Sequence, residues 1–288
     1  MKVLITGSAG FVGKKLCERL KLKHEIFGIS RRKSPTTTLV LDLTSQQTEK
    51  VLGELNPDVI IHCAALTNVD YCETHQDESY KNNVYATKNL VEWANKNNKK
   101  IIYISTDYVY SGQTNNYDEK SETNPLNIYG KTKLEAENIV RTLPLHAILR
   151  TTVVFGYDPG GLNFLMQLLN LTGPRKIPKD QISNPTDIAV LGDYIEHILN
   201  KNINGLYVAT GPTQVNRFDF ACLVADVFNL NKYLLEPITT AALNQTAQRP
   251  LNNGTNSINL RKLTGYSCPS LVNSLQAIQT KIQSYKNR

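Results

Sequence analysis

Short apolar runs alternate with segments of helical spacing through the first half of the chain. KVLIT (2–6) is a buried-type strand, and AGFVGKKLCERL (9–20) follows with apolar positions at Phe11, Leu16 and Leu20. The 3.6-residue period of that spacing predicts a helix. EIFGIS (25–30) and TTLVLD (37–42) predict a second and a third strand, and QQTEKVLGEL (46–55) a helix. DVIIHCAA (58–65) predicts a fourth strand, residues 76–97 one long helix, and KKIIYIST (99–106) a fifth strand. A helix over NIYGKTKLEAEN (127–138) precedes a further strand in HAILRTTVVFG (146–156). Strands separated by helices imply parallel crossovers, hence an α/β fold with a Rossmann-like doubly wound parallel sheet.

The alternation loosens after about residue 155. Asp158-Pro159-Gly160-Gly161, Gly173-Pro174 and Asn184-Pro185 mark loops. Helices are predicted at 162–171, 186–200 and 216–229, with a strand in GLYVA (205–209). The expected division is a cofactor-binding domain over 1–155. A smaller C-terminal substrate-binding lobe over 156–288 is expected to interleave with the last strands of the sheet. No internal repeat or low-complexity tract interrupts either half.

Composition narrows the function classes. The 288 residues are 41% hydrophobic and 20% charged, as in an ordinary globular protein. No apolar run reaches the roughly 18 residues of a membrane span. MKVLITG turns to glycine too early for a signal peptide, so a cytoplasmic location is expected. Cys17, Cys63, Cys72, Cys222 and Cys268 form no CxxC pair, and the five histidines no HExxH, so neither a disulfide framework nor a metal site is expected. The net charge of +7 comes from dispersed basic residues, without the basic and aromatic stripe of a nucleic-acid binder. Anionic small molecules suit that excess.

TGSAGFVG (6–13) sets Gly7, Gly10 and Gly13 between the first strand and the first helix. Glycines there let the backbone approach a phosphate seated at a helix N-terminus. The same glycines would also make an ordinary tight turn. The second strand ends in Ser30, Arg31, Arg32 and Lys33, where an NAD site usually places an acid. Arginine forks match a 2′-phosphate, which favours NADPH, although a solvated basic loop would read alike. In the helix at 127–138, Tyr129 and Lys133 stand four apart, on one face.

TGSAGFVG, STDYVYSG (105–112) and YGKTK (129–133) together resemble an extended short-chain dehydrogenase/reductase. More narrowly the chain resembles the dTDP-4-dehydrorhamnose reductase family, through Asn163-Phe164, DQISNPT (180–186) and QRP (248–250). The resemblance implies that Thr106, Tyr129 and Lys133 are catalytic, and that NADPH reduces the C4 keto group of a nucleotide-linked 4-keto-6-deoxy sugar. Tyr129 would give the proton, Lys133 would lower the phenol pKa and hold the nicotinamide ribose, and Thr106 would bond the carbonyl oxygen.

The resemblance also implies cofactor contacts from Gly7, Gly10, Phe11, Val12, Gly13, Ser30, Arg31, Arg32, Asp42, Leu43, Ala64, Ala65, Thr67, Tyr129 and Lys133. Thr67, Thr106, Asp107, Tyr108, Asn163, Gln181, Thr186 and Arg249 would meet the substrate. Asp70 and Glu73 read as surface acids. Two positions depart from the family: Ala136 stands where glycine is usual, and Val153 where a tryptophan lies against the sugar. Expected partners are a nucleotide sugar and, as a candidate assembly, a homodimer, with no nucleic acid or membrane. GDP-fucose synthase uses a cysteine just past the fifth strand, and STDYVYSG has none. The regulatory subunit of methionine adenosyltransferase resembles the same branch and can keep the tyrosine and lysine, so the alternatives are a non-catalytic NADP-binding subunit and another reductase or epimerase/reductase acting on a UDP- or GDP-sugar.

Overall fold

The computed structural model describes residues 1–286. Its strands are β1 (Lys2–Thr6), β2 (Glu25–Ser30), β3 (Leu39–Val40), β4 (Val59–His62), β5 (Lys100–Thr106), β6 (His146–Thr151), β7 (Val154–Phe155), β8 (Arg175–Pro178), β9 (Ile182–Ser183), β10 (Thr186–Asp187), β11 (Gly205–Val208), β12 (Val215–Asn216) and β13 (Leu235–Ile238). The α-helices are α1 (Phe11–Leu20), α2 (Gln47–Leu55), α3 (Val69–Thr74), α4 (Gln76–Tyr80), α5 (Ala86–Lys96), α6 (Ile128–Val140), α7 (Phe164–Leu169), α8 (Ile188–Asn200), α9 (Arg217–Phe228), α10 (Ile258–Thr264) and α11 (Leu271–Lys286).

Seven strands pair in parallel in the order β11-β6-β5-β4-β1-β2-β3. Both faces are covered, which is why the inner strands read as near-continuous apolar runs. One face packs β1 and β4 against α1 and α8 through Val3, Ile5, Leu16, Ile61, Leu191 and Ile195. The other packs α2, α5 and α6 through Leu52, Leu90, Trp93, Ala136 and Val140. A third cluster, built on Phe155, Phe164, Phe220, Val224 and Leu275, forms the core of the smaller lobe. The chain does not stay in that lobe. With α8 and β11 it returns to the large sheet, where β11 pairs with β6.

Two elements differ from the sequence pattern. TTLVLD forms only a two-residue strand at the sheet edge, because β3 pairs on one side alone and Leu39 and Val40 are exposed. HAILRTTVVFG breaks in two at Val153, which has φ 38°. A β-branched residue in the left-handed region is a sharp turn held by its surroundings. The turn carries β7 out of the large sheet to pair with β10. The predicted helix at 76–97 is continuous through a π-helical turn at Lys81–Tyr85, between α4 and α5.

Candidate active site

Strand order reverses between β1, whose partner β2 leads to one edge, and β4, which leads to the other. Ligands of open α/β sheets bind outside the carboxyl ends of the strands at such a reversal. A cleft of about 320 Å³ lies there. It is lined by Gly7, Gly10, Phe11, Val12 and Gly13 from the first turn, and by Ser30, Arg31 and Arg32 after β2. Asp42, Leu43, Ala64, Ala65 and Thr67 line it as expected from sequence, whereas Tyr129 and Lys133, also expected to meet the cofactor, are not among its lining residues. Gly7 has φ +69°, and a Cβ there would sit 2.8 Å from the Ala64 backbone nitrogen, so this floor admits no larger residue. Backbone approach, a helix N-terminus and two arginines on the rim fit a dinucleotide carrying an extra phosphate.

Sequence reasoning missed Cys63, Asn82 and Ala86 in the same cleft. The Asn82 amide oxygen accepts from Arg31 Nη1 at 3.0 Å. An asparagine inside a long helical pattern carries no local signal, and the π turn that aims it is not encoded as a motif.

The second part of the site is built on α6. Asn127 caps it, accepting from the Gly130 amide at 2.9 Å and donating to the Gln248 carbonyl. The Glu73 carboxylate accepts from the Ile128 amide at 2.9 Å. Glu73 is thus a helix-terminus anion rather than the free surface acid read from sequence. At Gly130 a Cβ would meet the Tyr108 carbonyl oxygen at 2.3 Å. This close approach sets the rings of Tyr108 and Tyr129 edge to face at 5.9 Å. Gly130→Ala is expected to push α6 outward. Misplacement of that order costs roughly 10²-fold in turnover, and steady-state kinetics with a matched cofactor titration, unchanged in affinity, checks it.

Thr106 ends β5 beside this pair. Its hydroxyl accepts from the Tyr108 amide at 3.1 Å and bears on the Tyr129 phenol. Asp107 is buried, and burial pushes its carboxyl up to about 6, opposed by bonds from Thr152 and Asn253. Lys133 is buried too. Its ammonium donates to the Ile104 carbonyl at 2.7 Å and lies 4.0 Å over the Tyr103 ring.

Burial holds the Tyr129 phenol well above its ordinary value, with Thr106 opposing. Lys133 is itself lowered to about 7 by burial. Tyr129 therefore stays a phenol at neutral pH. A phenol is still a stronger acid than the alcohol formed when a ketone is reduced, so proton donation to a nascent alkoxide remains downhill.

Behind the pair, one helical turn past Lys133, lies the fully buried Glu137. It accepts from Arg150 Nη2 at 2.7 Å and from the Ser105 hydroxyl at 2.5 Å. Arg150 also reaches the Tyr110 hydroxyl at 3.0 Å.

The residues expected to bind substrate separate into two groups. Thr67, Thr106, Asp107 and Tyr108 stand at the strand ends near Tyr129 or in the cleft. The others have structural commitments. Asn163 caps α7, and its amide donates to the Gly156 carbonyl. Thr186 is fully buried, donating to the Asn184 carbonyl and accepting from the Gly211 amide. Gln181 bonds Thr240 at 3.0 Å. Arg249, only 9% exposed, pairs with Asp70 at 2.8 Å and donates to the Ala247 carbonyl. Asp70, read as a surface acid, is that arginine's counter-charge. A guanidinium missed by the sequence reading, Arg217, lies within electrostatic reach of Tyr108 and Asp107. Among the described residues no cluster of His, Cys, Asp and Glu could hold a metal, and no helix is long and apolar enough to cross a membrane.

Known proteins share this arrangement. The family model described as RmlD substrate binding domain matches residues 1–284. A dTDP-4-dehydrorhamnose reductase of Aggregatibacter actinomycetemcomitans is 33% identical over 270 residues, 87% of this chain and 89% of that protein. Bovine methionine adenosyltransferase 2 subunit beta is 33% identical over 264 residues, 87% of this chain and 79% of that protein. The crystal structure of dTDP-4-dehydrorhamnose reductase from Bacillus anthracis, in complex with NADP, superposes with a TM-score of 0.88 at 30% identity, covering 97% of this chain and 99% of that one. With the glycine cleft at the strand reversal and the tyrosine and lysine on α6, these matches show that the chain belongs to the RmlD family of extended short-chain dehydrogenase/reductases, the family of the dTDP-4-dehydrorhamnose reductases.

Proposed function

We propose that this protein reduces the C4 keto group of a nucleotide-linked 4-keto-6-deoxy sugar, with NADPH as reductant and dTDP-4-dehydro-L-rhamnose as its substrate. The observation that carries the reading is the convergence of Tyr129, Thr106 and the buried Lys133 beside a dinucleotide-shaped cleft. Bound in that cleft, the reduced nicotinamide supplies a hydride to the carbonyl carbon. Thr106 holds the carbonyl oxygen as negative charge gathers there, and Tyr129 delivers its proton to that oxygen. Lys133, anchored on the Ile104 carbonyl, would orient the nicotinamide ribose, and its ammonium offsets the phenolate left by the transfer until a proton from solvent restores the phenol. Residues 1–155, with the returning α8 and β11, serve the cofactor. The remaining residues serve the sugar nucleotide. The test is NADPH oxidation by the purified chain against a panel of dTDP-, UDP- and GDP-linked 4-keto sugars.

The likeness to methionine adenosyltransferase 2 subunit beta supports a second reading, a non-catalytic subunit that binds NADP. That subunit can keep the tyrosine and lysine, so the intact residues do not separate the two readings; turnover of any keto sugar excludes the second.

Arg31 and Arg32 carry the cofactor preference. A charge-assisted hydrogen bond to the 2′-phosphate contributes about 1.5–3 kcal/mol. Both side chains are exposed at the rim of the cleft, and screening places the effect at the low end. Arg31→Ala combined with Arg32→Ala is expected to weaken NADPH about 10-fold or more and to spare NADH. Titration of both cofactors into both proteins reads this. Equal losses for the two cofactors would remove the arginines from phosphate recognition.

A further inference from the structure

We infer that Arg217, and not Arg249, is the guanidinium that takes the diphosphate of the nucleotide sugar. The inference rests on the reading of the site as a sugar-nucleotide reductase and names the residue that would recognise the charged part of the substrate.

The two arginines differ in what they already hold. Arg249 has its counter-charge in Asp70 and a carbonyl acceptor in Ala247. An arginine so committed already has a counter-charge, in a part-exposed carboxylate, and gains less from a second anion than an arginine with none. Arg217 has no ion pair and no side-chain hydrogen bond among the described residues; only its backbone amide is engaged, by the Gln181 carbonyl at 3.0 Å. Its guanidinium lies 4.9 Å over the ring of Phe164. That aromatic face fixes the orientation of a planar cation without satisfying its five donors. Arg175, bonded only to the neutral Gln167, adds positive charge at the same place, as does Arg249. Asp70 is taken up by Arg249, and Arg217 and Arg175 make no ion pair among the described residues, so the repulsion within the cluster is only partly offset and a diphosphate would relieve it.

Position agrees with this. Arg217 lies close enough to Tyr108 to oppose the burial that raises its phenol, and Tyr108 stacks edge to face on Tyr129. In a pyranose, C1 and C4 lie across the ring from each other. A sugar whose C4 meets Tyr129 therefore sends its anomeric diphosphate past Tyr108, towards Arg217. Arg217 opens α9, Phe164 opens α7 and Tyr108 follows β5, so no stretch of sequence brings these three together.

The experiment is calorimetric titration of dTDP, UDP and GDP into the NADPH-saturated protein, using wild type, Arg217→Gln and Arg217→Lys. Arg217→Gln is expected to weaken the bound diphosphate about 10- to 100-fold, the loss of a charge-assisted contact, and to leave NADPH affinity unchanged. Arg217→Lys should recover part of the loss. An unpartnered cation among cations supports no fold, so Arg217→Gln should melt at or above the wild-type temperature. Equal diphosphate affinity in wild type and Arg217→Gln, or no diphosphate binding by the wild type, overturns the inference. Because the readout is binding, the inference stands even where no keto sugar is turned over. Reduction unaffected by Arg217→Gln removes it while leaving the reductase reading in place.

Discussion

Replacing Tyr129 by phenylalanine is expected to lower turnover of the keto sugar by roughly 10²–10⁴, the range of general acid catalysis, while NADPH binds as before. The ring stays, so its edge-to-face contact with Tyr108 and the packing of α6 on the Tyr108 carbonyl are retained. Only the phenolic proton is lost. Without it the alkoxide must take its proton from water, which the part-buried site admits poorly. The pH dependence adds a second readout. Burial holds the phenol above its ordinary value, so Tyr129 stays protonated throughout the neutral range. Lys133, lowered to about 7, changes charge within that range. Its ammonium is present below that pKa and lost above it, so kcat/KM for the wild type should fall as pH rises through about 7. Single-turnover rates for the two proteins between pH 6 and 9 provide the measurement. A Tyr129→Phe protein turning over within threefold of wild type would end the assignment of the proton to Tyr129.

The second large effect concerns stability. Arg150→Met leaves the Glu137 carboxylate buried with the Ser105 hydroxyl and the half-exposed Arg141 as its remaining partners. Removing one partner of a buried pair costs about 3–5 kcal/mol, because the surviving charge has no water and keeps only the half-exposed Arg141, at 3.4 Å, as counter-ion. The pair joins α6 to β6, and Ser105 joins it to the end of β5, so the loss falls on the elements that carry Tyr129, Lys133 and Thr106. Replacing both charges, Glu137→Leu with Arg150→Met, should recover much of the loss, since two well-packed apolar side chains leave no charge to desolvate. Urea unfolding of the two single variants and the double variant measures this. A single-variant loss below 1 kcal/mol, or a double variant less stable than either single, would contradict the account.

Much of the site was legible locally. The glycines at 7, 10 and 13 are read from one strand-to-helix turn, and Tyr129 and Lys133 from one helical period. Arg31 and Arg32 are read from their place after one strand. Such features span few residues, and backbone geometry alone sets where they point. The parallel sheet was legible for the same reason, since strands with helices between them have one handed way to pair.

The substrate lobe was different. From the sequence alone Arg249, Thr186 and Asn163 were expected to meet the substrate, and Asp70 and Glu73 to be surface acids. Folding pairs Arg249 with Asp70 across 179 positions, buries Thr186 beneath Gly211, and turns Asn163 and Glu73 into helix caps. It also brings Arg217, which no motif marks, beside Phe164 and Tyr108. Whether an arginine is free to meet a ligand depends on which carboxylate reaches it first. That is decided by long-range packing, here by the left-handed turn at Val153 that leads the chain out of the sheet and by α8 and β11 that return to it. The sequence by itself thus determined the cofactor cleft and the residues on α6, because short-range periodicity and sterics suffice for both. Only the tertiary structure decided which polar groups hold the fold and which are left for the substrate, because a charge buried against its partner and a charge left unpaired look alike in a sequence.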